Sequence, residues 1–285
     1  MTIWPILAAV VVGTWNGNWF PSGRAEHRAH PDVEAATMTA AAGMLRGALD
    51  SIDPKGTNDV ILCLHEFRGP RVASNVVAQI GRKGLRVVSV SGYRRRDRFD
   101  MQQDVIATTL PVAETGWKVW RKNGNDTPPR GYAFAAVVLA PATTAAVYAV
   151  HLKSNYGATT PEAKASNRAK RGAAIRQLVN LEKPKAGGVP SHQAALIVGD
   201  FNADRWKAEF AGEPLFKTLE GAGFLNVLGL LPEGSRGTYP NKRYGDSALD
   251  YIMTRGLVAG GPPKLISSEG LSDHFAVFAV LNSEK

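Results

Sequence analysis

Apolar runs recur along the chain, and several of them end in a polar residue able to do chemistry. Leu196-Ile197-Val198-Gly199 leads into Asp200-Phe201-Asn202, and Val60-Ile61-Leu62-Cys63-Leu64 into His65-Glu66-Phe67-Arg68. Residues 145–150 lead into His151-Leu152-Lys153-Ser154-Asn155, and Val10-Val11-Val12 into Thr14-Trp15-Asn16. Runs of this length, bounded by Gly or polar groups, predict strands buried on both faces of a sheet. Residues 85–90, 104–110, 133–139 and 248–253 read as further strands, and a final one follows Asp273-His274. Met38, Ala41, Ala42, Leu45 and Leu49 fall at helical spacing, which predicts an amphipathic helix over 37–49, and a second is expected over 161–181. Residues 116–130, polar and turn-rich, read as a long connection, and 93–98 as a basic loop.

A strand buried on both faces delivers its last residue to the rim of the sheet, where ligands bind. Glu66 is on this ground the candidate principal metal ligand. Alternation points Asp200 and Asn202 the same way. A carboxylate there can ligate a metal or take a proton from water, and a carboxamide can bond a phosphoryl oxygen without adding negative charge. The structural alternative is a strand running into an Asp/Asn turn. His65 points to the side opposite Glu66 and reads as a hydrogen-bonded histidine beside the core. Arg68 returns to the Glu66 side, where it either meets a phosphate or neutralises an acid. His151, Lys153 and Asn155 share a face if the strand continues, and fit a phosphate pocket better than a core. Lys164, Arg168 and Arg171 form one stripe on the second helix, either a basic surface or simply its solvated face. Asp250, inside an apolar run, needs a partner to offset its desolvation. His274 is the natural one, and the bond would fix the orientation of its ring.

With 285 residues, 44% hydrophobic and 21% charged, and no linker or internal repeat, the chain is expected to fold as a single domain over 1–285. Cys63 is the only cysteine, which excludes an internal disulfide and a Cys-based zinc site. The apolar stretch 3–12 is too short to span a bilayer and has no Lys or Arg before it. Neither a transmembrane segment nor a convincing signal peptide is therefore expected, and a soluble protein of unassigned location is. A net charge of +9 favours an anionic partner: nucleic acid, an acidic membrane or a phosphorylated small molecule.

Taken together, Thr14-Trp15-Asn16, Glu66 after its strand, His151-Leu152-Lys153-Ser154, Gly199-Asp200-Phe201-Asn202, Leu249-Asp250-Tyr251-Ile252 and Ser272-Asp273-His274 resemble, in order and spacing, the motifs of the endonuclease/exonuclease/phosphatase superfamily. That family includes deoxyribonuclease I, exonuclease III, neutral sphingomyelinases and inositol polyphosphate phosphatases. The resemblance spans nearly the whole chain. It implies an α/β fold, a four-layered α/β sandwich of two mixed β-sheets packed face to face with helices outside. It also implies Mg²⁺, for which Mn²⁺ can substitute, on Glu66 with Asn16 and Asp273 nearby. Asp200 and Asn202 resemble the pair that orients the attacking water and holds the phosphate. His274 with Asp250 resembles the Asp-His pair of the family, and His151 its second phosphate-contacting histidine. Arg68 corresponds to an arginine that deoxyribonuclease I uses near the minor groove, and Lys153, Asn155 and Arg168 are expected to bind substrate. Two departures stand out: His65 replaces the Gln that many members carry before the metal Glu, and Gly17-Asn18-Trp19-Phe20 replaces an aliphatic continuation. The expected function is a metal-dependent phosphodiester hydrolase, first a DNA endonuclease of little sequence specificity, acting as a monomer. The alternatives are a phospholipid or small-molecule phosphoesterase on the same scaffold and a non-catalytic nucleic-acid-binding protein. Whether Asp200 or His274 is the general base stays open at this level.

Overall fold

Two mixed sheets carry the apolar runs. The computed structural model of the protein describes residues 9–22, 30–95, 98–99, 102–141, 143–183, 192–243, 245–268 and 270–283. In chain order the elements are β1 (Val10–Phe20), α1 (Pro31–Ile52), β2 (Asp59–Phe67), α2 (Pro70–Ile80), β3 (Arg86–Val90), β4 (Arg94–Arg95), β5 (Arg98–Phe99), β6 (Gln103–Thr108), β7 (Val112–Val119), β8 (Gly131–Ala140), β9 (Thr143–His151), α3 (Pro161–Leu181), β10 (Ala194–Asp200), α4 (Pro214–Gly221), β11 (Leu225–Asn226), β12 (Asp250–Arg255), β13 (Leu257–Ala259), β14 (Lys264–Ile266) and β15 (Ala276–Ser283).

The first sheet runs β13-β15-β1-β2-β6-β3, with β14 also on β15; the second runs β11-β12-β10-β9-β8-β7. Each has one parallel pair at its centre, β1 with β2 and β9 with β10, and antiparallel neighbours around it. Period-two alternation sorts the side chains into layers. Val11, Val60, Leu62 and Leu64 face outward onto Ala41, Ala42, Leu45 and Leu49 of α1 and Val76, Val77 and Ile80 of α2. Val10, Val12, Ile61, Cys63 and Ile106 face the second sheet, whose core also takes in Ile175 and Leu178 of α3 and Leu215 and Leu219 of α4. The result is the four-layered α/β sandwich that the resemblance implies. The helices start where local chemistry directs: α1 opens on Pro31 with Asp32 and Glu34 in its first turn, and the Thr160 hydroxyl accepts from the Ala163 N–H at the start of α3.

Several expectations are corrected. The segment read as connection over 116–130 begins as strand β7, an edge strand exposed on most of its length, so its polar sequence shows no alternation. α1 begins earlier than 37, and α2 was not anticipated. β9 ends at His151, which leaves Lys153 and Asn155 on a loop, not on alternate strand positions. The basic stretch forms the small β4–β5 ladder, with 96–97 outside the described residues. Of the apolar start, 3–8 also lies outside them. No helix among the described residues is long and apolar enough to cross a membrane.

Ile61 is wholly buried between the sheets, whereas Val119 on the edge strand is 59% exposed. Truncation of Ile61 to Ala is expected to cost about 2–5 kcal/mol. Val119→Ala should stay within about 0.5 kcal/mol. Urea unfolding midpoints at constant slope measure both.

Candidate active site

Strand register aligns the chemistry. Asp200 is the cross-strand partner of His151 on β9 and of Asp250 on β12, so the three form one row at the end of the second sheet. On the first sheet Asn16 is level with His65, and Glu66 follows where the β2–β6 ladder breaks register between Leu64 and Phe67. Such a break re-aims a side chain. Glu66 there adopts a left-handed φ of 62°, a conformation that costs an L-residue roughly 1–2 kcal/mol.

Asn16 joins the two sheets. Its Nδ2 donates to Glu66 Oε1 at 3.3 Å and to Asp200 Oδ2 at 3.0 Å, while its Oδ1 accepts from the Asn18 N–H at 2.9 Å. That last bond fixes which end of the amide faces the acids. Asn16 was expected beside the metal, yet it presents nitrogen, and hard cations take carboxamides through oxygen. Its place is that of a donor to both carboxylates. The Trp19 N–H donates to the other oxygen of Glu66 at 3.1 Å.

Environment sets the two histidines apart. His151 Nε2 lies 3.6 Å from Glu66 Oε1 and from Asp200 Oδ2, and its Nδ1 is buried without a protein partner. Burial first, and then the positive charge of Arg130, hold His151 well below the ordinary histidine range, so its ring is neutral. His274 Nδ1 donates to Asp250 Oδ2 at 2.8 Å, an oxygen that also accepts from the Thr238 hydroxyl at 2.7 Å. Burial opposes the charge on His274, but Asp250, reinforced by Asp200 and Asp273, outweighs it and raises the imidazolium to about 10. Asp200 is pushed up to about 7, by burial first and by the charges of Asp250 and Glu66, against the pull of His274 and the Asn202 N–H.

Asn202 lies past the strand with φ 51°, in an Asp/Asn turn. Its N–H donates to Asp200 Oδ1 at 2.8 Å and its Nδ2 to Asp200 Oδ2 at 3.0 Å. The carboxamide reaches Asp200 by this turn, not by alternation. Ser272 Oγ donates to the Asn16 carbonyl at 2.6 Å and accepts from the His274 N–H, which docks the loop carrying exposed Asp273 onto β1.

Glu66, His151, Asp200, Asn202, Asp273 and His274 all line one cleft of about 1340 Å³. Its walls include Arg130, Lys153, Asn155 and Lys164, together with Trp19, Tyr156, Phe210 and Tyr239. Arg68 does not line it: its guanidinium pairs with Glu34 and Ser22. Arg168 also lies outside the cleft lining, with Nε 3.9 Å from Glu213. Arg171 of the supposed stripe is buried against Glu213 and donates to the Lys153 carbonyl at 2.7 Å and to Asn155 Oδ1 at 3.1 Å. It shapes the loop that carries Lys153 and Asn155, and of the stripe only Lys164 reaches the cleft.

Arg130 escaped the sequence reading. Its Nη2 donates to the His151 and Leu152 carbonyls at 3.1 and 3.0 Å, and its Nη1 to Gln102. Only the preceding Pro128-Pro129 marks the spot, and that signals a turn, not a charge. Thr238 and Tyr239 were missed likewise; they come from irregular backbone with no periodicity.

The donor set suits a hard divalent cation. Glu66 and Asp200 share one amide donor on the cleft floor, and Asp273 stands at its rim, an all-oxygen set of the kind that Mg²⁺ or Mn²⁺ takes. Asp200, Asp250 and His274 also bring ligand atoms within 4.8 Å of one another. There, however, the His274 Nδ1–H and the Thr238 hydroxyl already occupy Asp250 Oδ2, so that group is a hydrogen-bonded pair beside the site.

No protein-family profile matches the sequence, and no curated protein is significantly similar to it. Solved structures are similar over nearly the full length. An endonuclease/exonuclease/phosphatase family protein from Leptotrichia buccalis C-1013-b superimposes with a TM-score of 0.63 at 12% identity, covering 95% of this chain and 99% of the other. Sphingomyelinase C from Streptomyces griseocarneus gives 0.58 at 17% identity, covering 99% and 100%. TDP2 from D. rerio, complexed with a single strand DNA product, gives 0.58 at 14% identity, covering 96% and 99%. The chain therefore has the fold of the endonuclease/exonuclease/phosphatase superfamily.

Because its folded pKa is raised, ionisation of His274 adds stability that is full below about 6.5 and is lost as pH rises through about 10. In Asp250→Asn, only Asp200 and Asp273 are left to offset burial, and His274 should titrate well below 10. An NMR titration of its ring protons reads this directly; titration still near 10 would show that Asp250 does not hold the charge.

Proposed function

We propose that the protein is a divalent-cation-dependent phosphodiester hydrolase acting on nucleic acid, DNA first. The observation that carries this reading is the convergence, at the ends of strands from both sheets, of Glu66 and Asp200 on one amide with His151 and His274 in opposite charge states beside them. A phosphodiester is anionic and repels hydroxide, so a site that cleaves it must cancel charge on its oxygens and supply a deprotonated water.

Glu66 and Asp273, with Asp200 adjoining, would hold Mg²⁺ or Mn²⁺. Bound there, the cation would supply positive charge to a non-bridging oxygen and to the departing one. Asp200, close enough to share that cation with Glu66, would orient the attacking water and take its proton. His274, protonated to about 10, cannot act as base at pH 7; its Nε2–H donates to a phosphoryl oxygen. The neutral ring of His151 donates through Nε2, and the Asn202 carboxamide, whose Nδ2 donates to Asp200 Oδ2 and to the Leu152 carbonyl, holds the Asp200 carboxylate in place. Asn16 and the Trp19 N–H keep the Glu66 carboxylate aimed.

Substrate preference follows from the walls. Arg130, Lys153 and Lys164 offer positive charge to a phosphate backbone, and Trp19, Tyr156, Phe210 and Tyr239 offer faces on which bases stack. Such contacts bind without reading sequence. The TDP2 match, whose structure holds a single strand DNA product, agrees with this choice. A phospholipid headgroup is the second reading, favoured by the full-length likeness to a sphingomyelinase C and by exposed Trp117 and Val119 on β7.

Plasmid nicking in Mg²⁺ should vanish in EDTA and fall by about 10²–10³-fold in Glu66→Ala, the scale on which single electrostatic groups act in catalysis. Lys153→Ala with Lys164→Ala should raise KM for DNA with little change in kcat. A panel of DNA, RNA, sphingomyelin vesicles and inositol phosphates, run against native protein and His274→Ala, separates the two substrates. No His274-dependent cleavage of any nucleic acid would reject the first reading, and phosphocholine release from vesicles would establish the second.

A further inference from the structure

His65 is the residue at which this chain departs from the Gln common before the metal Glu, and it sits under the site without touching the cleft. Its ring is wholly buried, and both nitrogens are engaged: Nδ1 with Asp104 Oδ1 at 2.8 Å, Nε2 with Thr14 Oγ1 at 3.1 Å. The second oxygen of Asp104 accepts from the Tyr93 hydroxyl at 2.9 Å, and its backbone N–H bonds Ser91. The far edge of the ring lies against the second sheet. A Cβ built on Gly199 would stand 2.6 Å from His65 Cε1 and 2.1 Å from the Val150 carbonyl, so the glycine before Asp200 is bare backbone against imidazole.

A leucine would fill this volume without placing four polar groups in a dry interior, where each costs free energy unless bonded. Here the chain of bonds is complete, and it fixes the plane of a rigid ring. His65 is joined by one peptide bond to Glu66, which holds a left-handed φ, and its ring abuts Gly199, the residue just before Asp200.

We propose that His65, locked by Thr14, Asp104 and Tyr93, is a positioning residue that sets the separation of Glu66 on the first sheet from Asp200 on the second. The inference rests on the functional reading above, because the separation matters only if both carboxylates serve one cation. A general structural role would lower stability alone; a positioning role lowers cation affinity in protein that is still folded.

Mg²⁺ titration calorimetry on metal-stripped full-length protein tests it, with melting temperature as the parallel readout. His65→Leu is expected to weaken Mg²⁺ binding by about tenfold, the scale of supporting groups around a metal. Tyr93→Phe should weaken it severalfold, and His65→Gln should recover part of the loss. Wild-type affinity in folded His65→Leu overturns the proposal. Should that variant fail to fold, wild-type affinity in both Tyr93→Phe and Asp104→Asn overturns it. Glu66→Gln separates the two levels: if it abolishes binding while the His65 and Tyr93 variants keep it, only this inference falls. If native protein binds no Mg²⁺, the functional reading falls and takes this inference with it.

Discussion

The site depends on bringing two carboxylates from different sheets within reach of one amide. Glu66 and Asp200 are both buried or nearly so, at 8% and 1% exposure, and their like charges repel at close range. Asn16 Nδ2 is the only group that donates to both among the described residues. A neutral donor relieves part of the repulsion without cancelling it; Asp200 stays raised, by burial first and by Asp250 and Glu66 after it. The sandwich makes this approach possible. β1 and β2 are parallel neighbours, as are β9 and β10, so four strand ends converge on one edge with their last residues facing one another.

Backbone strain gathers at the same edge. Asn18, Trp19, Glu66, Arg130 and Asn202 are the non-glycine residues of positive φ among the described residues, and every one lines the cleft. Left-handed residues scattered by chance would also fall on remote turns. Their confinement here means that the surrounding structure over-determines them, the usual condition of a site whose groups are pre-aimed. Three of them carry bonds into the site. Trp19 points its N–H at Glu66, Asn202 points its own at Asp200, and Arg130 reaches two carbonyls of the loop after His151.

What the sequence disclosed follows from this division of labour. Strand-end residues were legible because a buried apolar run has a definite end: Glu66, His151 and Asp200 could be placed from the pattern alone. Asp250 and His274 were legible because an acid inside an apolar strand demands a partner, and the 2.8 Å bond supplies it. Beyond strand ends the reading weakened. Lys153 and Asn155 were placed by extending alternation past the point where β9 stops. Arg171 was read as surface because no local feature tells of Glu213, forty-two residues away and buried with it. β7 was missed because an edge strand exposed on both faces has no reason to alternate.

Chemical division between the two histidines is the step that sequence could not reach and geometry can. Both follow or precede a buried strand, and both lie against Asp200. His151 has Arg130 behind it and no carboxylate on Nδ1, and the loss of water, with that positive charge, keeps the ring neutral. His274 has Asp250 bonded to Nδ1 and stays charged. A neutral donor and a cationic donor therefore flank one carboxylate whose own proton affinity lies near neutrality. On the function proposed above, that opposition would give Asp200 the proton and leave the histidines on either side of it to hold the phosphate.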